Sequence, residues 1–154
     1  MKTRKLLENT VIDESYGAHV GKVIDVSLDG EQQVNGIVVK TRSGDKRFLP
    51  VNSFKIGKDS ILISGMDCLK VMDGGDDHGI YQSRLGNLVL EESGREIGVL
   101  SDIVLRTGSN LIEGIEISGG IIKDLIDGRT EVPIDQVRSF EDQRLVITDQ
   151  GGND

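Results

Sequence analysis

The chain repeats its own sequence at a spacing of 77 to 84 residues, and this repetition limits the folds that it can adopt. Residues 7–15 (LENTVIDES) reappear as residues 85–93 (LGNLVLEES). Four further blocks follow in the same order: residues 17–28 with 94–105, 34–39 with 112–117, 48–54 with 131–137, and 61–63 with 145–147. Five ordered blocks predict two diverged copies of one structural unit, with length differences confined to turns.

Each copy is predicted to be all-β. The chain has 17 Ile and 15 Val but a single Ala, together with 20 Gly, which favours strands joined by glycine turns over helices. Apolar and polar residues alternate in runs such as residues 24–28 (IDVSL), a pattern typical of strands with one buried face. Short antiparallel strands bury such a face by curling into a small barrel. We therefore expect two tandem β-barrels of five to six short strands each.

Two prolines mark corresponding places in the copies. Pro50 and Pro133 each follow a strand-like run. Because proline cannot donate to a strand ladder, each is predicted to end a strand and to open a single helical turn. The predicted boundaries are a first copy over residues 1–66, a linker over 67–84 with room for a junction strand, a second copy over 85–148, and a disordered tail over 149–154.

The pattern of glycines and apolar residues resembles a known family. The runs GxxVGxVxDV at residues 17–26, GIVV at 36–39 and FLPVxSF at 48–54 are similar to the PRC-barrel family, which includes the soluble domain of the photosynthetic reaction-centre H subunit and the C-terminal domain of the ribosome-maturation factor RimM. The second copy departs from the pattern around its proline. The resemblance implies a small barrel used for protein interaction, without catalysis. The residues that carry this structural signature are Gly21, Asp25, Gly36, Pro50, Gly98, Asp102, Gly114 and Pro133.

The charge of the chain is unevenly distributed. The net charge is −8 and aromatic residues make up only 3%, so nucleic acid is not expected as the main partner. Residues 1–77 carry 11 basic and 12 acidic side chains, whereas residues 78–154 carry 7 and 14. The basic side chains that crowd the middle of the first copy are Lys40, Arg42, Lys46, Arg47, Lys55 and Lys58. They form either a solvated hairpin face or a surface for an acidic protein, including the second copy of another molecule in a homodimer.

No cofactor site, metal site or set of catalytic residues is predicted. Asp25 and Asp102 occupy equivalent positions and could act as a general base or a ligand, but capping of nearby backbone N–H groups is favoured. The acidic run at residues 73–79 (DGGDDHG) lacks the spacing of a calcium loop. A soft-metal cluster in residues 66–72 (MDCLKVM) is less favoured than a strand packing between the copies.

Cysteine content and hydropathy indicate a location. The single cysteine, Cys68, cannot form an internal disulfide, and no apolar run is long enough for a signal peptide or a spanning helix. We expect a cytoplasmic protein that does not insert into a membrane. The favoured function is a non-catalytic protein-interaction or adaptor module. The alternatives are a ligand-binding protein or carboxylate-dependent hydrolase, and a peripheral scaffold at a membrane surface.

Overall fold

The computed structural model describes residues 1–29, 33–72, 80–119, 129–141 and 143–150. Within these residues the chain folds into two β-sheets, whose buried side chains form one hydrophobic cluster, with one five-residue helix. The prediction of an all-β protein made of two similar units is confirmed.

The two copies contain corresponding strands in the same order. The strands of the first copy and the junction are β1 (Thr10–Asp13), β2 (Ala18–Leu28), β3 (Val34–Thr41), β4 (Lys46–Pro50), β5 (Lys55–Ile56), β6 (Ser60–Ile63) and β7 (Lys70–Val71). Those of the second copy are β8 (Leu88–Glu91), β9 (Glu96–Leu105), β10 (Ile112–Ser118), β11 (Arg129–Pro133), β12 (Val137–Phe140) and β13 (Arg144–Ile147). The helix α1 (Ile80–Arg84) and four short 3-10 turns (Thr3–Leu6, Val51–Ser53, Met66–Cys68 and Ile134–Gln136) complete the described elements.

The strand order is β5-β6-β1-β2-β3-β4-β7 in the first sheet and β11-β10-β9-β8-β13-β12 in the second. Listed from the opposite end, the second order repeats the first, except that β7 adds a seventh strand beside β4. The predicted helical turn follows each proline, at Val51–Ser53 and Ile134–Gln136. The predicted domain boundaries stay a prediction. Within the predicted linker, β7 and α1 are formed, whereas residues 73–79 lie outside the described part of the chain.

Branched aliphatic side chains fill both sheets. The inward-facing positions of each strand are occupied by Val, Ile and Leu, as the alternating pattern predicts. Side chains with no exposed surface include Val23, Ile37, Val39, Leu49 and Ile61 in the first copy, and Ile103, Ile115, Ile117, Leu145 and Ile147 in the second. Each such burial contributes about 1.5–3 kcal/mol to the hydrophobic driving force.

Glycines of the family pattern lie where strands approach closely. A Cβ at Gly98 would come within 2.6 Å of the Ser118 carbonyl oxygen, and a Cβ at Gly21 would overlap the Lys40 carbonyl oxygen. Both glycines stand beside a bulge in the pairing of their strand with the preceding one. Gly36 and Gly114 lie directly opposite the two prolines. A side chain at Gly21 or Gly98 would push neighbouring strands apart at the point where the long strand bends.

The two copies exchange their leading segments. The 3-10 turn Thr3–Leu6, which precedes the first copy, lies on β9 of the second copy, where the Thr3 hydroxyl donates to the Ile103 carbonyl at 2.7 Å. In return, α1, which precedes the second copy, lies on β2 of the first. There the Gln82 backbone N–H donates to Asp25 Oδ1 at 3.1 Å, and its side-chain amide donates to the Ile24 carbonyl.

The contact between the copies has approximate two-fold symmetry. Gln33 forms a β-bridge with Leu111, and these residues occupy equivalent positions in the repeat. The Val34 N–H donates to the Asn110 carbonyl at 2.9 Å, and the Asn110 amide donates to the Val34 carbonyl at 3.0 Å. An interface in which equivalent positions meet is the arrangement of a two-fold homodimer, formed here within one chain.

A row of carboxylates on the second copy receives basic residues of the first. Asp102, Glu116 and Glu131 stand directly opposite one another on β9, β10 and β11. Asp102 and Glu116 are buried, so their charges require partners. Lys2 forms an ion pair with Glu116, while Arg4 Nε lies 3.4 Å from Asp102 Oδ2 and Arg4 Nη1 lies 3.4 Å from Glu116 Oε1. The leading segment of the first copy therefore neutralises the buried acids of the second.

The same contacts shift two pKa values in opposite directions. Burial acts to raise the pKa of Glu116, but hydrogen bonds from Lys2 and Ser101 and the charges of Lys2 and Arg4 outweigh it, and the pKa is lowered. Burial, together with the hydrogen bond that the Tyr81 hydroxyl donates to Asp102 at 2.7 Å, raises the pKa of Tyr81 far above its ordinary range. Glu116 is thus ionised and Tyr81 is a protonated donor.

Glu116→Gln is expected to destabilise the protein in a pH-dependent way. Because the folded-state pKa of Glu116 lies below its ordinary value of 4.5, the carboxylate stabilises the fold fully above about pH 4.5, and this contribution is lost as the pH falls through the folded-state pKa. At pH 7 the variant should lose about 1–3 kcal/mol of unfolding free energy, measured by denaturant titration. The difference from the wild type should shrink at pH 3. Glu131→Gln, at the exposed end of the row, is the control, and an equal loss at both pH values would contradict the assignment.

Tyr81→Phe is expected to destabilise the protein without disturbing its packing. The substitution removes the hydroxyl donor from the fully buried Asp102, which keeps the Ile103 N–H at 2.7 Å but loses one partner. The expected cost is about 1–3 kcal/mol by thermal or chemical unfolding. Tyr16→Phe, at a side chain that is 86% exposed, should leave stability unchanged. Equal effects of the two substitutions would show that the Tyr81 hydroxyl contributes nothing.

Candidate functional site

A row of lysines crosses the outer face of the first sheet. Lys22 on β2 stands directly opposite Lys40 on β3, and Lys40 stands directly opposite Lys46 on β4. All three side chains are exposed. We call these three residues the lysine row. Their register places three like charges side by side on neighbouring strands.

The lysine row has little compensation from acidic side chains. Lys22 Nζ lies 4.0 Å from Glu8 Oε2, and within the described residues Lys40 and Lys46 form no ion pair. Like charges directly opposite each other on neighbouring strands destabilise a sheet. The row therefore costs the fold free energy.

The second copy does not repeat the lysine row. The matching positions on β9, β10 and β11 are Val99, Ser118 and Arg129, which are paired in the same way. Only one of these three residues is cationic. Conversely, the adjacent row is acidic in the second copy, where Glu116 and Glu131 replace Val38 and Phe48. The basic surface is thus a property of the first copy alone.

The predicted basic residues occupy two separate parts of the surface. Lys40 and Lys46 belong to the lysine row, and Arg42 is exposed in the adjoining turn. Lys55 and Lys58 lie beyond the far end of β4, on β5 and its turn, so the length of β4, roughly 13 Å, separates them from Lys46.

The structure differs from the predicted basic surface at two residues, Arg47 and Lys22. Arg47 is half-buried, and its guanidinium contacts the Asp45 carboxylate at 3.4 Å. Lys22 was not among the residues predicted, because it lies 18 residues before Lys40 in the sequence. The alignment of β2 with β3 would have identified it, since the strand register decides which side chains are neighbours.

A cleft of about 490 Å³ lies where the two copies meet. Leu6, Val34 and Ile37 of the first copy and Leu105 of the second line its apolar part. Lys55 lies at its polar side and is the only charged residue among the lining residues that the structure describes. Sequence reasoning could not find this cleft, because its two sides come from different copies and meet only through their packing.

The equivalent aspartates are held by the interface between the copies. Asp25 Oδ1 accepts the Val26 N–H at 2.8 Å, and Asp102 Oδ1 accepts the Ile103 N–H at 2.7 Å. The Asp102 side chain has no exposed surface, so a substrate cannot reach it in this conformation. This geometry supports a structural use of both carboxylates.

The candidate metal ligands do not come together in the described part of the chain. Met66 and Cys68 lie in a 3-10 turn, and β7 follows at Lys70–Val71. Among the described residues, no three His, Cys, Asp or Glu side chains are placed to hold a metal ion. The acidic run at residues 73–79 lies outside the described residues. Within that same portion, no helix is long and apolar enough to cross a membrane.

A comparison with models of known protein families agrees with the repeated fold. A family model described as the PRC-barrel domain matches the chain twice, over residues 1–67 and 81–152. None of the curated proteins matches this sequence. Among solved structures, the chain is similar to a candidate 16S ribosomal RNA processing protein, RimM, from Pseudomonas aeruginosa, at 12% identity and a TM-score of 0.33, covering 84% of this chain and 94% of that chain.

The family model covers every strand of both sheets except β7, including the paired glycines and prolines and the helical turn after each proline. These matches confirm the resemblance inferred from the glycine and proline pattern. The chain therefore belongs to the PRC-barrel family and contains two tandem PRC-barrel domains.

Proposed function

We propose that this protein is a non-catalytic interaction module whose first barrel binds an acidic surface of a partner protein through the lysine row. The observation that supports this proposal most directly is the placement of Lys22, Lys40 and Lys46 opposite one another, with almost no acidic compensation from the described residues. A surface that costs stability and persists in an otherwise acidic protein is explained by a partner that supplies the missing negative charge.

The internal charge pairing supports an external use of the lysine row. The buried acids of the second copy are already neutralised by Lys2 and Arg4. Those cations come from the leading segment and lie on β9. The lysine row is therefore not needed to hold the two barrels together, and it remains available to another molecule.

A binding role also fits the sheet geometry. The lysines project from three neighbouring strands of one sheet, so their positions are fixed by the strand register. Fixed charges steer association and set register against a complementary surface. The cytoplasmic location inferred from cysteine content and hydropathy stays a prediction.

Lys40→Glu is expected to raise stability while weakening binding. A glutamate at this position would stand between Lys22 and Lys46, replacing two repulsive pairs with two attractive ones. The unfolding free energy should increase by about 0.5–1 kcal/mol at low ionic strength, and less at high salt. A decrease in stability would show that the lysines do not repel one another.

Binding is tested by immobilising the full-length wild type and its variants and comparing the proteins that each captures from a lysate of the native cells. A partner retained by the wild type and released by salt should be lost with Lys40→Glu/Lys46→Glu. Ser118→Glu, at the position of the second copy that matches Lys40, is the control and should retain it. Equal retention by all three proteins would overturn the proposal. Sedimentation analysis tests for self-association. If the wild type forms a dimer that only the double variant loses, the partner is a second copy of this chain and not a different protein.

A further inference from the structure

We propose that the cleft between the two copies is a binding site for a small amphipathic carboxylate, a molecule with an apolar body and one anionic end. This inference is independent of the proposed function, because the cleft lies at the opposite end of β4 from the lysine row. Its volume of about 490 Å³ is within the range of small-molecule sites, and its position between two structural units is typical of them.

The apolar part of the cleft can be assigned to residues of both copies. Leu6, Val34 and Leu105 are each less than 7% exposed and form a fixed apolar floor. Ile56, by contrast, is 44% exposed at the cleft edge. A hydrocarbon chain or ring placed here would cover Ile56 and would gain about 25 cal/mol for each Å² of apolar surface removed from water.

In the second copy, the positions that match two cleft residues are filled by larger side chains that contact each other. The repeat places Arg84 where the first copy has Leu6, and strand pairing places Phe140 where it has Ile56. The Arg84 guanidinium lies 5.0 Å from the centre of the Phe140 ring and donates to the Phe140 and Glu141 carbonyls at 3.1 and 3.0 Å. In the first copy two smaller aliphatic side chains stand in these places, and the space beside them is open.

The polar side of the cleft selects the charge of the ligand. Lys55 is exposed, forms no ion pair with the described residues, and shares the cleft with the Asn52 side chain. The matching residues in the second copy are Ser139 and Asp135, so the cation is specific to the first copy. An ammonium beside an amide donor, with no acidic side chain among the described lining residues, favours a carboxylate end group.

A neighbouring depression of about 610 Å³ shares Asn52, Phe54 and Lys55 with the cleft. It differs in its other lining residues, which include Glu14 and several serines. A carboxylate ligand placed there would face the Glu14 carboxylate as well as Lys55. The cleft between the copies is therefore the better site for an anionic molecule with an apolar body.

Octanoate is the probe for this site, with octylammonium of the same chain length as the charge control. Titration of the full-length protein should give saturable binding of octanoate, with chemical-shift changes centred on Val34, Leu105 and Ser109. Octylammonium should bind at least tenfold more weakly. Absence of saturable binding, changes centred elsewhere, or equal affinity for the two probes would overturn the proposal.

Two variants test the two ends of the site. Lys55→Glu should weaken octanoate binding at least tenfold, whereas Lys58→Glu, which reverses a nearby lysine that does not line the cleft, should leave it unchanged. Ile56→Phe introduces the residue found at the matching position of the second copy and should weaken binding by narrowing the cleft. Circular dichroism confirms that each variant is folded. Equal effects of the two lysine reversals would contradict the assignment.

Discussion

The reciprocal exchange of leading segments is the constraint on which the rest of the molecule depends. Each short segment covers the outer face of the long strand of the other copy, so neither barrel is complete without its neighbour. The exchange also supplies the counter-ions for the buried acids of the second copy, because Lys2 and Arg4 are the cations that face Asp102 and Glu116. Buried acids without partners would lower the free energy of unfolding by several kcal/mol. Here the packing of the leading segment on the other copy supplies the partners. The cleft between the copies is a consequence of the same packing.

The two barrels share a scaffold and differ in the residues that decorate equivalent strand positions. In the first copy, Lys40 stands in a row of lysines, whereas its counterpart Ser118 lies between a valine and an arginine. One row further along, Glu116 and Glu131 replace an aliphatic and an aromatic residue. The outer face of one copy is therefore basic, and that of the other carries buried acids that need internal counter-ions. Because inward-facing residues stay aliphatic in both copies, these changes leave the hydrophobic core intact.

The fold of the two copies could be predicted from the sequence, whereas the lysine row could be predicted only in part and the cleft could not be predicted. The repeat, the scarcity of alanine and the positions of Pro50 and Pro133 predicted two barrels with a helical turn after each proline, and the structure agrees. The lysine row was only partly foreseen, since Lys22 joins it through the register of β2 with β3, which a one-residue slip would change. The cleft was not foreseen at all. It depends on how Leu6 and Leu105 approach across the interface, and no periodicity within one copy encodes that approach.

The β-bridge between Gln33 and Leu111 joins equivalent positions of the two copies, as the contact across the axis of a homodimer joins the same residue of each subunit. In such a homodimer, every substitution appears twice, once on each side of the axis. When both copies lie in one chain, each side can differ in sequence, while the covalent link keeps the two at high effective concentration. Leu6 and Arg84 can therefore differ, and one side of the axis can stay open while the other is occupied by its own side chains. A chain that carries both copies can hold a single, unsymmetrical site, whereas a symmetric homodimer could form such a site only in duplicate.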